Sequence, residues 1–212
     1  MCHHAGSSQS ILLLVSGPAG SGKTTLCDGL LKKYDSANPH TLTRGLKRVI
    51  TATTRRPREN EKEGVDYFFL SEGEFRRRIE AREFYEWAVV YKHLYGTLKS
   101  EITRGLESGL DLLLNIDVQG AETLRKAARE EPALAGRLVT VFTAPATTKE
   151  LEKRLVDRAQ DSEEDIRHRL ATAGREMRYS REYDYCIPSQ SREEDLRALD
   201  AVFIAEKLKV RP

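Results

Sequence analysis

Cysteine is scarce in this chain, and what there is argues against a stapled or zinc-bound fold. Cys2, Cys27 and Cys186 are odd in number and far apart, a pattern that points to a reducing, cytoplasmic setting. Excess charge of one sign is also missing. Lys and Arg total 35 against 33 Asp and Glu, so nothing suggests a coat for nucleic acid or a membrane-surface patch, and any anion site must be built locally. The apolar stretch 11–15 is too short to span a bilayer, and the first ten residues lack the basic start and long apolar run of a signal peptide. Internal repeats and low-complexity tracts are absent. No Ser-His-Asp or Cys-His arrangement is suggested, and none of the five histidines stands in a motif. His3 and His4 belong to a polar segment, 1–9, expected to be flexible.

What is present begins at residue 11. Ile-Leu-Leu-Leu-Val runs directly into Ser16-Gly17-Pro18-Ala19-Gly20-Ser21-Gly22-Lys23-Thr24-Thr25. Gly17, Gly22, Lys23 and Thr24 satisfy the G-x-x-x-x-G-K-[ST] pattern of a phosphate loop. Glycines allow positive φ, so that backbone N–H groups turn inward around phosphate oxygens. Lys23 brings positive charge to the β/γ-phosphates, the Thr24 hydroxyl is suited to ligate Mg²⁺, and the following helix points its positive end at the same anion. A chance match in a chain of this length is expected roughly once in a hundred sequences. The chain is therefore expected to bind a nucleoside triphosphate.

Further short apolar runs at 110–116 and 138–142 alternate with helical patterns, which predicts a parallel sheet covered by helices. Hydroxyl-x-x-acid spacings beginning at Ser71, Thr147, Ser162 and Ser191 mark helix starts, and helices are expected near 72–82, 99–108, 120–130, 148–157, 163–180 and 192–208. Between 49 and 98 the chain changes character. Thr-rich and aromatic segments at 49–53, 67–70 and 84–90 predict a small β-lobe inserted after the first βα unit. Residues 35–48 read as an extended connection, and 146–171 as two helices joined by a polar turn.

A second anion site is suggested by Thr53-Thr54-Arg55-Arg56-Pro57-Arg58. Arg55 and Arg58 are spaced to converge on one phosphate, for which guanidinium forks are well shaped, with Tyr67 and Tyr95 as candidate hydroxyl donors. A solvated basic turn is the plainer alternative.

At this point the chain resembles the guanylate kinase family over about residues 10–208. The resemblance rests on the phosphate loop, on Thr53 to Arg58, and on Gly64-Val65-Asp66-Tyr67-Phe68-Phe69. It continues through Phe84-Tyr85-Glu86-Trp87-Ala88, Tyr95-Gly96-Thr97, Ile116-Asp117-Val118-Gln119-Gly120, Lys153-Arg154-Leu155, Arg158 and Arg169-Leu170. It implies a P-loop NTPase-type α/β core (10–48, 99–145 and 172–208), an inserted GMP-binding lobe (49–98) and a helical lid (146–171). The implied reaction is Mg²⁺-dependent transfer of the γ-phosphoryl of ATP to GMP, giving ADP and GDP, in purine nucleotide metabolism and GMP recycling. ATP would be held by residues 17–25, with Thr24 at the metal. The GMP phosphate would be held by Arg55, Arg58, Tyr67 and Tyr95, and guanine read by Thr51, Glu86 and Thr97. Asp117 would either orient Mg²⁺ through water or contact the guanine amino group. Arg154, Arg158 and Arg169, from the lid, would act with Lys23 to neutralise the transferring phosphoryl. No nucleic acid or membrane partner is implied, and a monomer or homodimer is expected.

The chain also departs from the family pattern. Asn115 stands where an acid is usual, Ile187-Pro188-Ser189-Gln190 where Val-Asn and acids are common, and Ala159 where a glycine is common. The 35–48 connection is longer than typical. Rival readings are a catalytically silent partner-binding module, which would not need Lys23 and Thr24, and a kinase for another phosphorylated acceptor, which would not need Thr51, Glu86 and Thr97 together. A nucleotide-dependent switch, the third, would not need Arg55 and Arg58.

Overall fold

Strand β1 (Leu12–Ser16) is wholly buried and forms parallel ladders on both sides, with β7 (Asp111–Asn115) and β8 (Leu138–Ala144). It is the middle of a five-stranded parallel sheet of order β2-β7-β1-β8-β9, whose outer strands are β2 (Leu46–Arg48) and β9 (Tyr185–Pro188). The computed structural model of the chain describes residues 9–35, 42–90, 92–145, 151 and 163–210, with 163–169 as backbone only.

Apolar residues on both faces of β1 require cover on both faces, because side chains alternate along a strand. Ile11, Leu13 and Val15 pack with Leu26, Cys27 and Leu30 of α1 (Lys23–Lys33) and with Leu199 and Phe203 of α6 (Arg192–Leu208). Leu12 and Leu14 face the other way, toward Ile102 and Leu106 of α3 (Lys99–Glu107) and Ala121 and Leu124 of α4 (Val118–Ala127). Two helices per face thus hold the carboxyl ends of the strands at one rim, where ligands bind in open parallel sheets.

The opposite rim carries a buried ion pair. Lys207, 2 % exposed, donates to Asp111 Oδ1 at 2.9 Å and to the Gln9 carbonyl at 3.0 Å. Asp111 also accepts from the Ile11 amide at 2.8 Å and the Thr43 hydroxyl at 2.5 Å. One carboxylate therefore joins β1, β7, the 43 turn and the last turn of α6.

The inserted lobe is a four-stranded sheet of order β4-β3-β6-β5: β3 (Thr51–Thr53), β4 (Tyr67–Phe69), β5 (Phe84–Val90) and β6 (His93–Leu98). α2 (Glu72–Glu80), capped by Ser71, closes it over Ala52, Phe75, Phe84, Leu94 and Leu98, with Phe75 and Phe84 stacked at 4.5 Å. Trp87 and Val89, 46 % and 63 % exposed, alternate with the buried Glu86 on β5. Last come α5 (Glu163–Glu176), which runs across position 171, and a 3₁₀ turn (Met177–Glu182).

The α/β class, the parallel core and the capping at Ser71 and Ser191 are those expected, the latter a full capping box. Three short strands are additions: β2 lies within the expected connection, while β6 and β9 showed no apolar run. The helix expected over 163–180 tightens into the 3₁₀ turn at Met177. The start expected at 120 is moved to Val118, since Asp117 rather than a later residue caps α4. The helix expected at 148–157 lies outside the described residues except for Leu151, which is helical.

Candidate active site

The phosphate loop leaves β1 at Ser16 and enters α1 at Lys23. Gly17, Gly20 and Gly22 have φ of 145°, 87° and 83°, the left-handed conformations expected of them. Gly17 has a second constraint: a Cβ there would sit 2.4 Å from the Thr143 carbonyl oxygen. The Thr143 hydroxyl lies 3.2 Å from the Ser16 carbonyl, to which it donates, and 2.7 Å from Ser21 Oγ, so β8 fastens the loop at both ends. Pro18 turns the chain, its carbonyl accepting from Ser21 N at 3.1 Å, while Ala19 is exposed at the tip. The Lys23 ammonium lies across the loop, donating to the Gly17 and Pro18 carbonyls at 2.7 and 2.8 Å. Thr24 and Thr25 are exposed on the first turn of α1.

Across the strand ends is a cleft of about 170 Å³ bordered by Thr51, Tyr67, Glu86, Tyr95, Asn115 and Asp117. Glu86, 6 % exposed, accepts from the fully buried Thr97 hydroxyl at 2.5 Å. Burial pushes the Glu86 carboxyl up to about 7; the Thr97 hydrogen bond opposes this and the Asp117 charge adds to it. Such a carboxyl is only partly ionised at neutral pH, and an N–H partner would favour its charged form. Gly120 makes room for it, since a Cβ there would fall 2.9 Å from Glu86 Oε2.

Arg55 is tied to the cleft through Tyr95. Its Nε donates to Tyr95 OH at 3.3 Å, Nη1 to the Arg56 carbonyl at 2.7 Å and Nη2 to Glu61 Oε1 at 2.8 Å, and its guanidinium lies 5.6 Å from the centre of the Tyr67 ring. A guanidinium has five N–H donors, so these bonds aim Arg55 and still leave donors for an anion. Because Tyr95 accepts from Arg55, its own proton is directed elsewhere. The Arg58 side chain is exposed, but both Arg55 and Arg58 lower the pKa of Tyr67, which burial raises, so all three share one field. Arg56 faces solvent.

Sequence reasoning missed Glu61, which ties Arg55 to the Arg58 amide (2.8 Å) and shapes the arginine turn. Its signal was available: an acid three residues beyond Arg58, in a turn stiffened by Pro57. Glu176 was missed as well. It is half-buried at the end of α5, and its pKa is raised by burial, with the Lys23 charge opposing the rise and the Asp117 charge adding to it. Asp117 caps α4 through Oδ1, accepting from Gly120 N at 2.8 Å, and also borders the cleft.

For a metal, the Asn115 amide donates to the Thr24 hydroxyl at 3.3 Å, and Asp117 follows Asn115 by two residues. No group of three or more His, Cys, Asp or Glu able to hold a metal exists among the described residues. A lone hydroxyl beside a phosphate loop fits Mg²⁺, which takes one or two protein ligands and completes its shell with phosphate oxygens and water. Arg154 and Arg158 lie outside the described residues; Arg169 falls on the backbone of α5.

A groove of about 720 Å³ adjoins the other flank of the phosphate loop, running from Gly20, Gly22 and Thr25 to Gln190 and Arg192. No helix among the described residues is long and apolar enough to cross a membrane.

Comparison with known proteins gives one consistent answer. The guanylate kinase family model matches residues 9–206. The chain is 39 % identical over 202 residues to the guanylate kinase of Caldanaerobacter subterraneus subsp. tengcongensis, covering 95 % of this chain and 90 % of that one. It is 40 % identical over 204 residues to that of Maricaulis maris, covering 96 % and 87 %. Among solved structures, guanylate kinase from Anaplasma phagocytophilum superposes with a TM-score of 0.70 at 26 % identity, over 96 % of this chain and 89 % of that one.

Proposed function

Since this chain belongs to the guanylate kinase family, we propose that its two anion sites carry out Mg²⁺-dependent transfer of the γ-phosphoryl of ATP to GMP, yielding ADP and GDP. The observation that carries the reading is that buried Glu86, hydrogen-bonded to Thr97, borders the same cleft as Tyr67 and Tyr95, the latter hydrogen-bonded by Arg55. Guanine presents N1–H and N2–H₂ donors beside the O6 acceptor. Glu86 accepts from the donors, and the hydroxyls of Thr51 and Thr97 complete the edge. Adenine would turn a lone pair toward Glu86, and an unpaired buried carboxylate is a strong basis for rejection.

The attacking group is a GMP phosphate oxygen, already ionised at neutral pH, so the protein need not remove a proton. Its work is alignment and charge neutralisation. Arg55, Arg58, Tyr67 and Tyr95 grip the acceptor phosphate, while the amides of residues 17–25 and Lys23 cradle the donor. Thr24 would hold Mg²⁺, with Asp117 acting either through a metal-bound water or on the guanine amino group. Bound there, Mg²⁺ neutralises the β- and γ-phosphate oxygens. Arg154, Arg158 and Arg169, in a lid over 146–171, are assigned to the transferring group and to excluding water. The enzyme would serve purine nucleotide metabolism and GMP recycling in the cytoplasm, as monomer or homodimer, apart from nucleic acid and membranes.

An ADP-release assay with ATP and each nucleoside monophosphate tests this. Strong turnover is expected with GMP, weaker with dGMP, and Lys23→Ala should abolish it. Equal rates with AMP or UMP would refute the guanine assignment.

A further inference from the structure

Two buried hydroxyls among the described residues have no hydrogen-bond partner, and both lie at the root of the phosphate loop. They are Ser16 Oγ, on the last residue of β1, and the hydroxyl of Tyr183, the residue after the 3₁₀ turn. Their residues are 0 % and 9 % exposed. A buried hydroxyl left unpaired costs its desolvation with nothing in return, so two together call for a physical reason. They are also neighbours. Burial raises the Tyr183 pKa and the Ser16 hydroxyl lowers it, yet no hydrogen bond is completed between them.

Each is held by its surroundings and not by the other. The Tyr183 ring meets Phe142 of β8 edge-on, with 5.2 Å between centres. The Arg125 guanidinium of α4 lies 5.3 Å from the same ring and is itself bonded to Glu182 at 3.0 Å. Two elements of the core thus fix the ring. On the loop side, the Ser16 carbonyl accepts from the Thr143 hydroxyl at 3.2 Å. The next two carbonyls, of Gly17 and Pro18, accept from the Lys23 ammonium at 2.7 and 2.8 Å. A phosphate in the loop competes for that ammonium with the strength of a charge-assisted bond. Drawing Lys23 onto the anion releases both carbonyls, and the segment beginning at Ser16 can then shift against the fixed ring.

We propose that Tyr183 is a positioning residue for the phosphate loop, its hydroxyl pairing with that of Ser16 only when the loop holds a nucleotide. This rests on the phosphate-loop half of the reading above and not on its acceptor half. An unpaired cost in the empty protein becomes a hydrogen bond in the loaded one, and the difference adds to nucleotide affinity. Because the turn before Tyr183 follows directly on α5, the same bond ties an occupied loop to the base of that helix.

Tyr183→Phe keeps the ring and removes one hydroxyl, and Ser16→Ala removes the other. Each variant of the full chain, and the double variant, is melted without ligand and titrated calorimetrically with ADP and Mg²⁺. Unliganded melting temperatures at or above the parent's are expected, since each deleted atom was unpaired. ADP should bind about three- to tenfold more weakly to either single variant, the range of one hydrogen bond, and no more weakly still to the double. A hydroxyl already satisfied in the empty protein, by water for example, would instead lower both unliganded melting temperatures, and that would overturn the proposal. So would unchanged ADP affinity, or losses that add in the double variant. Failure of the parent chain to bind ADP would overturn both readings. Coupled losses of ADP affinity in a parent chain that forms no GDP from ATP and GMP would refute phosphoryl transfer and leave the Ser16–Tyr183 pair supported.

Discussion

Glu86 is where a single side chain decides most. Its carboxyl is raised to about 7, so in the free protein near neutral pH it is partly protonated. On the proposed function, GMP would require the ionised form as acceptor for two N–H groups, so its binding would expel that proton. The apparent Kd for GMP should therefore rise as pH falls below about 7, approaching tenfold per unit, in calorimetric titrations at pH 5.5 to 8. Stability runs in the opposite sense. A carboxyl raised in the folded state favours folding below its unfolded pKa, and that contribution is lost as pH rises toward 7. Thermal melts of Glu86→Gln should show a smaller decline across this window than those of the parent chain. The same variant should lower kcat/KM for GMP by at least a hundredfold while leaving ATP affinity within about twofold. A fall in ATP affinity instead would place Glu86 elsewhere.

At the scale of elements, α4 meets the lobe at Gly120, where its backbone passes the Glu86 carboxylate. Alanine at a helical glycine ordinarily stabilises by about 1 kcal/mol. Here the new methyl would press on Glu86 Oε2, which must move. Gly120→Ala is expected to keep or raise the melting temperature while raising KM for GMP about tenfold or more; unchanged KM would show that Glu86 tolerates the shift. The elements themselves were unequally legible. β1 and its loop could be read because an apolar run and four fixed positions coincide within fifteen residues, and Ser71 and Ser191 because capping is local chemistry. β2 was hidden by Lys47 and Arg48, and β9 by its four-residue length and terminal proline; tertiary pairing, not local preference, makes both strands. Arg55, Tyr67 and Tyr95 were placed by motif, yet the hand of Glu61 in aiming Arg55 depends on a turn whose closure only the fold supplies.

For the molecule as a whole, the two rims of the sheet divide the labour. The carboxyl ends of the strands carry the phosphate loop and the Glu86 cleft, and the other rim carries the Asp111–Lys207 clamp. Removing one partner leaves a buried charge unpaired, at a cost of about 3–5 kcal/mol. Lys207→Met should therefore lower stability by about that much in urea titrations. KM for either nucleotide should stay unchanged in whatever fraction remains folded. The double variant Lys207→Met/Asp111→Leu should recover part of the loss, though not all, because Asp111 also satisfies the Ile11 amide. A single variant that shifts KM would mean that the rims communicate.

The sole tryptophan of the chain, Trp87, stands half-exposed on β5 immediately after Glu86. The strand that carries the proposed guanine reader thus holds its own optical sensor. Ultraviolet emission from that indole should report lobe rearrangement upon nucleotide addition in stopped-flow mixing, without dyes, tags or coupling enzymes.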